Sequence, residues 1–175
     1  QKILDKKDIG VDTVMGHSVG EFSALVAAGS ISILDALKAV NQRGKFMQEA
    51  VPKGKGKMLA VLKVPKETIE QGCNLSSRKN EVVMPANYNG PNQTVVSGDA
   101  NACDRFALWL KQNVQSSYRI IPLNVSAPFH SSLMKPAAIQ LDNFFSNITM
   151  KPNKISYIAN VDAKRYEPQT SPEVI

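Results

Sequence analysis

Several residue types that build specialised sites are scarce in this chain. It has two cysteines in 175 residues, Cys73 and Cys103, far apart and in no C-x-x-C or Cys/His pattern. That excludes a disulfide scaffold and a thiolate metal site, and the pair reads as free thiols in a reducing compartment. Only two histidines occur, His17 and His130, so imidazole chemistry has two candidates. Aromatic residues make up 6% of the chain, and its 21 Lys and Arg are scattered with little aromatic interleaving. No nucleic-acid partner is therefore expected, and the net charge of +6 is only a weak preference for anionic partners. No apolar run approaches the ~18–20 residues of a membrane span, so no membrane partner is expected either. There is no secretory signal in the opening QKILDKKDIG. The N-x-S/T matches at Asn74, Asn92, Asn124 and Asn147 accordingly read as chance. The expected location is cytoplasmic. The first residue is Gln1 rather than Met, so both ends are expected to belong to a longer protein, and a targeting segment has room to precede it.

What is present suits one globular unit with an inserted subdomain: 43% hydrophobic residues, ten Gly and ten Pro. The stretch GHSVG at 16–20 has the form G-x-S-x-G. VDTVMG before it reads as a short strand and EFSALVAA after it as a helix, with Gly29 as a left-handed cap. A strand–turn–helix context is what a nucleophile elbow requires. The turn lifts Ser18 out of the chain, and the helix start turns N–H groups and a positive dipole end toward it. The alternative is a tight turn with Ser18 as a helix cap.

A second helix starts near Ser32, whose spacing to Asp35 fits a capping box. Ile33, Ala36, Leu37, Val40, Gly44 and Met47 follow with helical period and predict its buried stripe. Arg43 falls on that stripe or its edge. A guanidinium there needs a partner, because burying a lone charge is costly. Spacing alone favours a structural carboxylate over the carboxylate of a ligand.

The run Lys53-Gly54-Lys55-Gly56-Lys57 lacks the phosphate-loop pattern and reads as a solvated hinge. Beyond it, KMLAVLK, the helix candidate 67–77, EVVMPANY, QTVVS, the helix candidate from Asp99 to about Gln112 and YRII follow in the order βαββαβ. This is a ferredoxin-like unit. The fold class expected is therefore α/β. An α/β-hydrolase-like parallel-sheet domain over 1–54 and 123–175 carries a ferredoxin-like insert over 55–122. In the returning segment NVSAPFH is a loop, 132–147 reads as a helix despite Pro136, and ISYIA is a further strand.

A serine hydroxyl needs a base at neutral pH. His17 adjoins Ser18, and neighbouring side chains at a turn diverge, so His130 is the base expected. The amide of Val19, the residue after the serine, is the expected oxyanion donor. No aspartate or glutamate presents itself as a third member.

The stretches GHSVGEFSALVAAGSIS, NQRGKFMQEAVPKGKGKM, NVSAPFHSSLMKPA and IANVDAK, in this order, closely resemble bacterial malonyl-CoA:acyl carrier protein transacylases and the acyltransferase domains of fatty-acid and polyketide synthases. The resemblance implies a hydrolase-like domain with a ferredoxin-like insert. It implies Ser18 as the acyl-carrying nucleophile, His130 as the base and Val19 at the oxyanion hole. It makes Arg43 the ligand of the malonyl carboxylate, reversing the reading from spacing. Phe129 matches the malonyl form of a selectivity position, Asn87 and Asn89 match an N-x-N stretch near the cleft, and His17 adjoins the substrate. A G-Q-G-S segment supplying the second oxyanion donor would lie before Gln1, and a glutamine orienting the histidine after Ile175. A molecule without both is expected to fold poorly and show little activity. The implied partners are malonyl-CoA and an acyl carrier protein bearing phosphopantetheine, with no cofactor, in a monomer. The implied function is malonyl transfer in fatty-acid biosynthesis; an acyltransferase of a polyketide synthase, a serine hydrolase on a related fold and a non-catalytic carrier-docking domain are the rivals.

Overall fold

Two sheets organise the chain, one with a parallel strand pair and one wholly antiparallel, in an α/β fold. The computed structural model describes Lys6, Lys7 and residues 10–171. Most of QKILDKKDIG and the terminal residues 172–175 lie outside the described residues. The chain divides into two compact units, one running up to Arg43 and again from Leu141 onwards, the other spanning Gly44–Gln140.

The first unit holds β1 (Thr13–Met15), α1 (Gly20–Ala27), the N-terminal part of α2 (Ile33–Glu49), the end of α5 (Lys135–Phe145), β6 (Ser156–Ile158) and β7 (Arg165–Tyr166). β1 and β6 run parallel with Met15 opposite Ile158, and β7 pairs antiparallel with β6. Leu25, Ile31, Ala36 and the fully buried Tyr157 form the core beside them. Gly29 takes φ +78 after α1, the left-handed cap that a residue without Cβ adopts freely. Of the capping box, the Asp35 N–H donates to the Ser32 hydroxyl at 3.1 Å as expected, while the Asp35 carboxylate accepts from the Ser32 hydroxyl at 2.7 Å rather than from the Ser32 backbone N–H. Asn153 is fully buried. Its Nδ2 donates to the Ile155, Tyr166 and Glu167 carbonyls, and its Oδ1 accepts from Thr170 N–H.

The buried stripe predicted for α2 needs correction. Ile33 is 63% and Leu37 62% exposed, while Ala36 and Ala39 are buried. The apolar residues of this helix cover more than one face, so period alone does not say which face packs. The small one does, because alanines permit close approach.

The second unit carries β2 (Gly56–Leu62), α3 (Lys66–Ser76), β3 (Val83–Gly90), β4 (Gln93–Asp99), α4 (Ala100–Asn113) and β5 (Arg119–Pro122). Its sheet order is β3-β4-β2-β5, with every neighbouring pair antiparallel. This is the ferredoxin-like arrangement of a βαββαβ run. Strand side chains alternate between faces. Leu59 and Val61 of β2 meet Ile69, Phe106 and Leu110 of the helices. Met58 and Ala60 meet Val95, Leu123 and Phe129 on the other face. Both faces are covered, so KMLAVLK is apolar at successive positions. The unit extends beyond 55–122 because Met47, Ala50 and Val51 pack with Ala127, Leu133 and Met134. Asp99 stands at the N-cap of α4, yet its carboxylate accepts from Val82 N–H at 2.7 Å instead of capping the helix. That ties the helix start to the entry of β3.

Cys73 and Cys103 are buried in this core. Burial pushes both thiols up to about 12, so almost no thiolate exists at neutral pH. Both are expected to resist alkylation in the native protein at pH 8 and to react at once in denaturant. Quantitative labelling with an aromatic disulfide reagent checks this, and rapid native labelling of either residue would contradict it. Among the described residues no helix is long and apolar enough to cross a membrane.

Candidate active site

Ser18 sits where β1 ends and α1 begins, with φ 54. A non-glycine residue rarely adopts this left-handed conformation, and its occurrence at a strand-to-helix turn is the signature of an elbow. Gly16 makes the turn possible. A Cβ there would lie 2.0 Å from the Gly20 carbonyl oxygen and 2.6 Å from the Glu21 nitrogen, so no side chain fits. The Gly20, Glu21 and Phe22 amides are taken by the His17, Ser18 and Val19 carbonyls. The Ser18 amide donates to Asn160 Oδ1 at 3.1 Å. Val19 is the N-cap of α1 and supplies no side-chain cap. Among the described residues the Val19 amide meets no acceptor, which leaves it as the elbow's available N–H donor.

Arg43 comes from α2, and its Nη2 donates to Ser18 Oγ at 2.9 Å. The side chain is half-buried, and burial lowers its pKa, with the Glu21 carboxylate pulling the other way. The sequence spacing gave the cation no partner by name; in the structure the guanidinium meets the Ser18 hydroxyl directly.

Glu21 and Asn160 complete this cluster. Glu21 Oε1 accepts from the Asn160 backbone N–H at 2.9 Å and from the Tyr157 hydroxyl. Burial, and then Glu21, push the Tyr157 phenol up. Asn160 Nδ2 donates to the Gly16 carbonyl at 2.5 Å. These three residues carry no motif of their own. The usable signal was the pair of short strand candidates. If they lie parallel, their C-terminal ends share one edge, and the residue after the second reaches the turn after the first.

Of the predicted residues, His17, Ser18, Val19 and Arg43 lie in the first unit, with Ser18 and Arg43 in direct contact. His17 is exposed on the elbow. Asn89, Phe129 and His130 lie in the second unit. His130 is exposed, with φ 58, on a tight turn. The turn is anchored on both sides. Ser131 Oγ donates to the Pro128 carbonyl at 2.7 Å, Phe129 N–H donates to Ala127 at 2.9 Å, and Pro128 occupies the space a Gly56 side chain would need. Phe129 packs against Val51, Ala127 and Met134 on one side and Met58, Ala60 and Val95 on the other. Asn89 is exposed in the β3–β4 hairpin, at a register irregularity between Tyr88 and Gly90. Asn87 lies in the same strand at the preceding irregularity, opposite Val95.

The arrangement in the first unit offers a hydroxyl lifted from the backbone, an amide donor after it and a cation beside it. Such a set suits acyl transfer involving an acyl group with an anionic end. Comparison with known proteins gives the family. The model of a family described as "Acyl transferase domain" matches residues 8–175. The malonyl CoA-acyl carrier protein transacylase of Bacillus subtilis is 43% identical over 164 residues, covering 92% of this chain and 51% of its own length. Among solved structures, the acyl carrier protein S-malonyltransferase of Vibrio cholerae superposes with TM-score 0.88 at 37% identity, over 93% of this chain and 53% of that one. A malonyl-transacylase in complex with its type II PKS acyl-carrier protein superposes with TM-score 0.88 at 36% identity, over 96% and 54%. The chain spans about half the length of these relatives.

Proposed function

This chain belongs to the acyl transferase domain family, and on that premise we propose that it carries the malonyl-transfer chemistry of fatty-acid synthesis, from malonyl-CoA to the phosphopantetheine thiol of an acyl carrier protein. The observation that carries the reading is the 2.9 Å contact between Arg43 Nη2 and Ser18 Oγ. In a malonyl thioester a single methylene separates the reacting carbonyl from the carboxylate. An enzyme that selects this group needs its cation beside the nucleophile, and a planar guanidinium suits a carboxylate better than an ammonium does.

The reaction is ping-pong. Ser18 Oγ attacks the thioester carbonyl while His130 accepts its proton. The oxyanion is held by the Val19 amide, and loss of one such donor typically costs about 2.7–4 kcal/mol. The C–S bond breaks, coenzyme A leaves as the protonated thiol, and a malonyl-serine ester remains. The carrier's thiol then attacks, His130 now taking the thiol proton and returning one to Ser18. Phe129 borders the acyl group, and Asn89 and His17 line its approach. Coenzyme A enters as the substrate's own leaving group, so no cofactor takes part. The basic net charge of +6 favours an acidic carrier protein as partner.

Mass spectrometry of the protein mixed with malonyl-CoA tests this reading. The expected result is a malonyl ester on the peptide containing Ser18, discharged by phosphopantetheine thiol faster than by water. Faster discharge by water would make the protein a hydrolase, and carrier binding without acylation would make it a docking domain.

A further inference from the structure

Asn160 is placed by topology. Because β1 and β6 run parallel with Met15 opposite Ile158, the turn after β6 emerges at the same sheet edge as the elbow. Its side-chain amide then spans Ser18's neighbourhood: Oδ1 accepts from the Ser18 amide at 3.1 Å, and Nδ2 donates to the Gly16 carbonyl at 2.5 Å. Rotating the amide by half a turn would set like against like, so both atoms are chemically assigned. Asn160's own N–H donates to Glu21 Oε1, and Glu21's N–H donates to the Ser18 carbonyl at 3.1 Å. The hydrogen bonds close into a ring that passes through both the N–H and the C=O of the serine. Tyr157, fully buried, anchors the Glu21 carboxylate from the core side.

We propose that Asn160 is a positioning residue for the nucleophile: its side-chain amide clamps the elbow from both sides of His17, holds Ser18 in its left-handed conformation and takes the Ser18 amide, leaving the Val19 amide as the elbow's donor to the oxyanion. This rests on the reading of Ser18 as nucleophile. Strained backbone persists at a functional site only where surrounding contacts over-determine it, and this ring supplies two of those contacts on the serine itself. Asparagine suits the task because one planar group must accept and donate at once. Aspartate would turn an oxygen toward the Gly16 carbonyl, and alanine would leave both groups to water. Asn160 is exposed, so its replacement leaves the hydrophobic core intact.

The test compares wild type, Asn160→Ala and Asn160→Asp in the full-length protein. At saturating malonyl-CoA, the rate of Ser18 acylation is expected to fall by about 10- to 100-fold in both variants, the scale of a lost backbone tether. KM and the preference for malonyl over acetyl thioesters should stay unchanged. Amide hydrogen exchange followed by NMR should show Ser18 at least about 10-fold faster in Asn160→Ala, with amides of the β2–β5 sheet unaltered. An unchanged acylation rate, unchanged exchange at Ser18, or faster exchange throughout the molecule would each overturn the proposal. If wild type itself takes no malonyl group, the functional reading fails, and exchange at Ser18 still decides the positioning.

Discussion

Ser18→Ala in the full-length protein is expected to form no malonyl adduct and to lose transfer activity by roughly five to six orders of magnitude. That is the scale on which removing a serine nucleophile paired with a base acts. A methyl group cannot form the ester, so the two-step route closes rather than slows. The fold should survive. The side chain is only half-buried, and alanine at φ 54 is strained much as serine is. Thermal unfolding of the variant within a few degrees of wild type, with no acylated peptide by mass spectrometry, is the expected pair of results. An adduct of equal yield on another residue would remove Ser18 from the mechanism.

Arg43→Ala should separate the substrates. Truncating one partner of a buried, hydrogen-bonded charge pair costs about 2–5 kcal/mol. On that basis kcat/KM for malonyl-CoA is expected to drop by about 30- to several-thousand-fold. Acetyl transfer has no carboxylate to lose and should be spared. It has reason to rise, since Arg43 Nη2 no longer occupies Ser18 Oγ at 2.9 Å. Arg43→Lys should recover only part of the loss, because an ammonium keeps the charge without the fork. Competition assays with malonyl- and acetyl-CoA in one vessel read the ratio directly. An equal fall for both would assign Arg43 to structure, most simply as the counter-charge of Glu21.

The sequence made local features plain and distant ones obscure. The elbow was legible because Gly16, Ser18 and Gly20 mark a change of period from strand to helix. The βαββαβ run was legible because Pro65, Asn89-Gly90-Pro91 and Asp99 punctuate it at the right places. Each signal is contained in a few neighbouring residues. The exposure of Ile33 and Leu37 was not legible, since helical period marks candidate faces and only tertiary packing chooses among them. The bond from Val82 N–H to the Asp99 carboxylate was likewise hidden, because a capping carboxylate can accept from donors other than the helix start. Asn160, Glu21 and Tyr157 escaped for a different reason. Their hydrogen bonds join parts of the chain 136 to 144 positions apart. Glu21 and Asn160 fall within the resembling stretches GHSVGEFSALVAAGSIS and IANVDAK, but the resemblance assigned neither a task.

The pairing of β1 with β6 has a consequence for how the molecule comes into being. Thr13–Met15 leave the ribosome before their partners Ser156–Ile158, which follow only after the whole Gly44–Gln140 unit has been made. That unit is rich in short-range hairpin and helix contacts and can close during synthesis, whereas the parallel pair must wait for a long loop to be brought round. A nascent chain therefore displays its serine for some time before the bracket around it exists. Translation halted ahead of Tyr157 should release a polypeptide with a finished middle and an inert hydroxyl.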